Sequence, residues 1–154
     1  MPESSFVRSR VRETGYSPGI TVERVSGMLS GTSGRIEVLD LPGTYSLTAY
    51  SLEEVITRDF IINEDPDVVI TVVDAANLER NLYLTVQVLE LGVPVAVALN
   101  MCDVAESRGI RVDAEKLSTL LGGAPVVRTV GTRKQGVSEL VQRALEAAAK
   151  DAPD

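Results

Sequence analysis

The chain has 154 residues, 44% hydrophobic and 24% charged, which suits one domain with its own core; aromatics are 4%, so Val, Leu, Ile and Ala must fill it. A net charge of -7 with no run of Lys or Arg excludes a basic face for nucleic acid, which needs clustered cations. One cysteine and no histidine exclude an internal disulfide framework and nearly exclude a His/Cys metal site.

The first residues, "MPESSFVRSR", hold no apolar signal core, and with a lone cysteine they point to a reducing, cytoplasmic setting. Next, "TVERVSGML" and "GRIEVLDL" predict two strands joined by the turn-rich "SGTSG", an antiparallel hairpin. "SLEEVITRDFII" predicts a helix capped by Ser51, with Glu54 completing a capping box and Leu52, Val55, Ile56 and Phe60 on its inner face. "DVVITVVDA" is a β-branched run, the pattern of a strand buried on both faces. "NLERNLYLTVQVLELG" predicts a helix that buries Leu78, Leu82, Val86 and Leu89 and stops at Gly92. "VPVAVALN" is a second buried strand, "DAEKLSTLLGG" a helix capped by Asp113, "PVVRTV" a last strand and "GVSELVQRALEAAAK" a closing amphipathic helix. Its apolar runs are far too short to cross a bilayer, so the chain by itself conducts no ion or solute.

Buried strands alternating with helices imply an α/β architecture, a doubly wound, mostly parallel sheet carrying one antiparallel hairpin. Ligands in such folds sit beyond the carboxyl ends of the strands, which singles out Asp40, Asp74, Asn100 and Gly131. In "NMCD", the Asn100 amide suits a purine edge, and the Asp103 carboxylate can accept both N–H groups that guanine presents and adenine lacks. Taken alone, the same letters are satisfied by a helix cap after a strand. In "DLPG", Asp40 suits a Mg²⁺ ion and Gly43 a γ-phosphate contact, against the plainer reading of an ordinary turn. Thr21, in "SPGITVE", is expected in an exposed loop before the first strand, where its hydroxyl would ligate Mg²⁺; the plainer reading is a β-branched residue starting a strand. The three together occur in the order a GTPase requires.

At this point "GITVER", "DLPGTYSLTAYSLEE", "VVDAANLERNLYLT" and "VALNMCDVAE" resemble the G domain of the bacterial ferrous iron transport protein B (FeoB) family, from about Phe6 to Ala148. The resemblance implies a Ras-like P-loop GTPase fold, binding of GTP and GDP with Mg²⁺, and regulation of a Fe²⁺ permease held in the bacterial plasma membrane. It assigns Mg²⁺ to Thr21 and Asp40, the γ-phosphate to Gly43, and the guanine to Asn100 and Asp103. Met101 stands where many GTPases pack a Lys stem on the base, and a thioether can do the same. Gly131 and Thr132 stand where the family usually has Ser-Ala, and the backbone N–H that touches the guanine oxygen survives that change. Thr44 replaces the water-orienting Gln of Ras-like enzymes, so hydrolysis is expected to be slow.

The family's Walker A loop, Gly-x-x-x-x-Gly-Lys-Ser/Thr, is expected before Phe6, where "MPESS" stands instead. Each charge-assisted bond it supplies is worth about 1.5–3 kcal/mol. Losing several would move a micromolar site beyond the millimolar range. The strand before that loop lies mid-sheet in such folds, so either "IEVLDL" and "VVITVV" pair directly, or a gap or an exposed edge remains. The expected organisation is a helix remnant and switch-I loop over 1–18, a truncated FeoB-type G domain over 19–150 and a disordered tail over 151–154. Whether such a chain is an enzyme stays open at this stage. The alternatives to a GTP switch are a nucleotide-free scaffold using Thr44 to Ala49 as its contact, or a non-functional gene fragment. Iron binding by the chain itself is not expected, with no His and only Cys102.

Overall fold

The computed structural model describes residues 12–17, 20–28 and 35–150. Three strands open the fold: β1 (Arg12–Ser17), β2 (Ile20–Met28) and β3 (Arg35–Asp40), antiparallel in the order β1-β2-β3. The expected hairpin is β2 with β3, Val25 opposite Val38 and Glu23 opposite Asp40. Its "SGTSG" turn, the segment around Phe6 and the tail "DAPD" lie outside the described residues. Two expectations need correction. Thr21 lies within β2, paired with Gly15, and not in a loop before the first strand. Arg12–Ser17, expected as the end of a helix remnant and a loop, is a strand. Strand β1 pairs the backbone groups along the second edge of β2, which would otherwise stay open.

A second sheet is parallel: β4 (Val69–Asp74), β5 (Val95–Asn100) and β6 (Val126–Arg128), in that order. Helix α1 (Leu52–Glu64) leads from β3 to β4 and α2 (Leu78–Glu90) from β4 to β5. The short α3 (Cys102–Ser107) and α4 (Ala114–Leu120) lead to β6, and α5 (Val137–Lys150) closes the chain. The caps read from the sequence form: Ser51 Oγ accepts from Glu54 N at 3.2 Å, and Asp113 Oδ1 from Lys116 N at 3.0 Å.

Among the described residues the six strands form two sheets of three. No ladder joins β3 to β4 among the described residues, so these strands do not pair directly. Strand β5, between two partners and two helical layers, buries Val95 to Leu99 completely. Strand β4 does not: Thr71 and Val73 are buried, but Ile70 is 41% and Val72 63% exposed. Their face continues the one where Ala96, Ala98 and Val127 pack on Leu140 and Ala144 of α5. A helix about 10 Å wide covers two strands about 4.8 Å apart, and β4 is the third.

On the opposite face Val73, Val88, Val97, Leu99, Cys102, Ala105 and Leu117 form the main core, joined by Leu47 and Ile61. Helix α1 buries Ile56, Thr57, Phe60 and Ile61, leaving Leu52 half exposed. Helix α2 packs Leu78, Leu82 and Leu89 against this core as expected, but Val86 is outside, and the residues buried most fully are Thr85 and Val88. Thr85 is buried through a polar pair that hydrophobic patterning does not register. The hydroxyls of Thr85 and Thr71 meet at 2.9 Å in the core and satisfy each other.

Candidate functional site

Asn100 ends β5, paired in the ladder with Asp74 at the end of β4. The chain then turns through Met101, whose φ of 59° is left-handed, and enters α3 with Asp103 in its first turn. A side chain there costs about 1–2 kcal/mol of backbone strain, held by the packed residues on either side. One of these is Cys102, whose thiol donates to Leu99 O at 3.0 Å. Burial pushes that thiol above its ordinary value, so it stays protonated and holds the turn. Met101 itself is 40% exposed.

The Asn100 side chain is aimed by the neighbouring strand. Its Oδ1 accepts from the buried Thr129 hydroxyl at 3.1 Å and from Gly131 N at 3.0 Å. The loop holding these donors is closed on itself. Val130 N donates to Gln135 O at 3.1 Å, Gln135 N to Val130 O at 3.2 Å and Lys134 N to Gly131 O at 3.1 Å. Gly136 makes the closure possible: its φ is +78°, and an added Cβ would lie 2.1 Å from Arg128 O. Thr132 is exposed in the 3₁₀ turn Gly131–Arg133, and Arg133 reaches to 4.0 Å from the Asp103 carboxylate. With both groups solvated, that pair is worth at most about 1 kcal/mol.

Asp40 and Gly43 stand at the end of the other sheet. Asp40 is exposed, and its ladder partner Glu23 lies two residues after Thr21, so Thr21 and Asp40 belong to the same end of the sheet. Gly43 is exposed, has no positive φ, and a Cβ built there meets nothing within 4 Å. The fold does not require glycine at that position. A ligand approaching the backbone would. Mg²⁺ bound with a nucleotide uses one or two protein oxygens beside phosphates and waters, and Asp40 fits that partial role. Among the described residues no three His, Cys, Asp or Glu gather into a self-contained metal cage. Asp74 is already committed: Oδ1 accepts from Ala76 N at 2.8 Å and Oδ2 from Asn77 Nδ2 at 2.7 Å.

The structure thus joins Asn100 with Gly131 by a direct bond and sets Asp103 beside them. Leu41, next after Asp40, packs against the core that holds Leu99 and Cys102, so both halves rest on one support. No hydrogen bond or ion pair among the described residues links Asp40 or Gly43 to Asn100 or Asp103. Sequence reasoning missed Thr129 and Gly136; for Gly136 the available signal was a lone glycine just before the last helix.

A parallel sheet ends in Asn-x-x-Asp beside an antiparallel sheet that ends in Asp-x-x-Gly, and the solved structures that superpose on this arrangement are G domains of the Ras-like P-loop GTPase fold. Residues 7–144 match the family described as "Ferrous iron transport protein B". The chain is 50% identical over 133 residues to the Fe(2+) transporter FeoB of Salmonella typhimurium strain LT2, covering 84% of this chain and 17% of that protein. Among solved structures, the FeoB G-domain of Methanococcus jannaschii superposes with a TM-score of 0.75 at 46% identity, over 83% of this chain and 80% of that one. A mutant of S. thermophilus NFeoB bound to GDP gives 0.78 at 44% identity, over 93% and 55%. The chain belongs to the FeoB family and corresponds to its G domain. It spans about a sixth of the length of the curated relatives it matches.

Proposed function

We propose that this chain recognises guanine nucleotides, GDP and GTP with Mg²⁺, as the cytoplasmic switch domain of a ferrous iron transporter whose permease portion is its partner. The observation that carries this reading is the double acceptance by Asn100 Oδ1, from Thr129 and Gly131. With the oxygen occupied, the amide nitrogen is the group left to donate to a ligand, and the Asp103 carboxylate beside it accepts. A donor next to an acceptor of two N–H groups complements guanine and leaves adenine unpaired. Met101 would cover the base, Gly131 and Thr132 would supply backbone N–H groups, and Asp40, Gly43 and Thr21 would face the metal and γ-phosphate. Mg²⁺ would neutralise phosphate charge there. The bound GDP of the S. thermophilus relative agrees with this reading.

The 154 residues contain no Gly-x-x-x-x-Gly-Lys-Ser/Thr, so by themselves they are expected to grip phosphates weakly and to hydrolyse slowly. The exposed Tyr45 favours a second reading, a nucleotide-free scaffold that docks through Thr44 to Ala49. Calorimetric titration with GDP, GTP and ADP, each with Mg²⁺, separates the two. Saturable binding of GDP below about millimolar, without ADP binding, supports recognition of guanine. Equal affinity for ADP would reject the roles given to Asn100 and Asp103.

A further inference from the structure

Residues 41–51 run from the end of β3 to the first turn of α1 with no strand or helix of their own. Such a segment keeps one shape only where partners take up its polar groups. Part of the support comes from α1, the helix it leads into. The Thr57 hydroxyl donates to Pro42 O at 3.2 Å, and Glu54 Oε2 accepts from Thr48 Oγ1 at 2.9 Å and from Tyr50 N at 3.0 Å. The loop also bonds to itself through Thr44, Ser46 and Thr48, and a further hold comes from α2, a strand and a helix further along the chain. Gln87 Oε1 accepts from Leu47 N at 2.6 Å, while the Arg80 guanidinium lies 4.0 Å from the centre of the Tyr45 ring. Arg80 and Gln87 are two helical turns apart and share one face of α2. Leu47 is 7% exposed and belongs to the main core, so its N–H must find an acceptor inside the protein.

We propose that Gln87 is a positioning residue: by holding the Leu47 N–H it fixes the loop carrying Gly43 against α2. The loop then cannot shift without α2 registering it, because Leu47 must release Gln87 and Tyr45 must leave Arg80. That the loop reads a γ-phosphate rests on the function proposed above; that Gln87 holds the loop does not. The test therefore contains no nucleotide, and weak GTP binding leaves its result standing.

Amide hydrogen exchange, resolved by NMR, is measured on the full chain and on Gln87→Leu and Gln87→Glu. Losing one such bond is expected to speed exchange over residues 43–50 about tenfold in Gln87→Leu, with β4 and β5 amides unchanged. Gln87→Glu keeps an acceptor oxygen at the same reach and is expected to restore protection. Parent-like exchange in Gln87→Leu would overturn the proposal, and so would failure of Gln87→Glu to rescue. An equal rise throughout β4 and β5 would also overturn it, because Gln87 would then support the whole core and not the loop.

Discussion

Gly136→Ala tests the closed loop that aims Asn100. The added methyl carbon would sit 2.1 Å from Arg128 O and 3.2 Å from Arg128 C, both backbone atoms of β6, at a φ of +78°. Left-handed geometry costs a side chain about 1–2 kcal/mol. The clash adds about 1–3 kcal/mol, since Arg128 O cannot retreat without disturbing a three-residue strand. A total near 3 kcal/mol lowers the melting temperature of a chain this size by about 6–12 °C. Thermal unfolding followed by circular dichroism reads that shift. Amide exchange at Gly131 and Gln135 reads whether the loop has opened. Gly43→Ala is the matched control: with open space and no positive φ, its effect is expected within about 0.5 kcal/mol. A loss under about 1 kcal/mol for Gly136→Ala, or a larger loss for Gly43→Ala than for Gly136→Ala, would refute the reasoning.

Other expectations follow from the same geometry. Thr129→Val keeps the shape but removes one of two donors to Asn100 Oδ1, so urea unfolding should show a loss of about 0.5–1.5 kcal/mol; no loss would mean the hydroxyl does not hold Asn100. Asp103→Asn, in a version supplied with a Walker A loop, should weaken GTP binding and favour xanthine nucleotides by calorimetry; unchanged GTP affinity would remove Asp103 from the site. Glu54 is held below its ordinary value of 4.5, first by the Tyr50 N–H, so its grip on the loop is present above 4.5 and lost as pH falls through its lowered value. The Tyr50 amide shift in NMR should therefore titrate with its midpoint below 4.5; a midpoint above 4.5 would reverse the sign.

What the sequence made legible was local. The Ser51 and Asp113 caps, the five buried residues of β5 and the Asn-x-x-Asp turn each depend on neighbours within a few residues. What it concealed was set by distant partners. Thr85 reads as polar until Thr71 is seen opposite it, and Gln87 reads as a surface residue until Leu47 is placed against it 40 positions away. "VVITVV" promises a strand covered on both sides, but its own letters cannot say how far α5 reaches across the sheet. Arg12–Ser17 has no apolar alternation of its own and is a strand because β2 offers it an edge. The family resemblance supplied the roles of Asp40 and Gly43, which composition and spacing left divided between a turn and a ligand.

The two halves of the candidate site are built to different stiffness, and this bears on how it would work. Asn100 is fixed by a buried hydroxyl and by the backbone of a loop bonded to itself, so opening it breaks several bonds together. Gly43 lies in a segment fastened at intervals by side chains, with its own position exposed and uncrowded. Local opening favours the second kind of structure over the first. In the function proposed above, a base would remain held while the loop that carries Gly43 changes shape, as a switch that distinguishes two states of one ligand requires. Since Leu47 is the point where that loop enters the core beside α2, motion at Gly43 has a defined route into the rest of the domain.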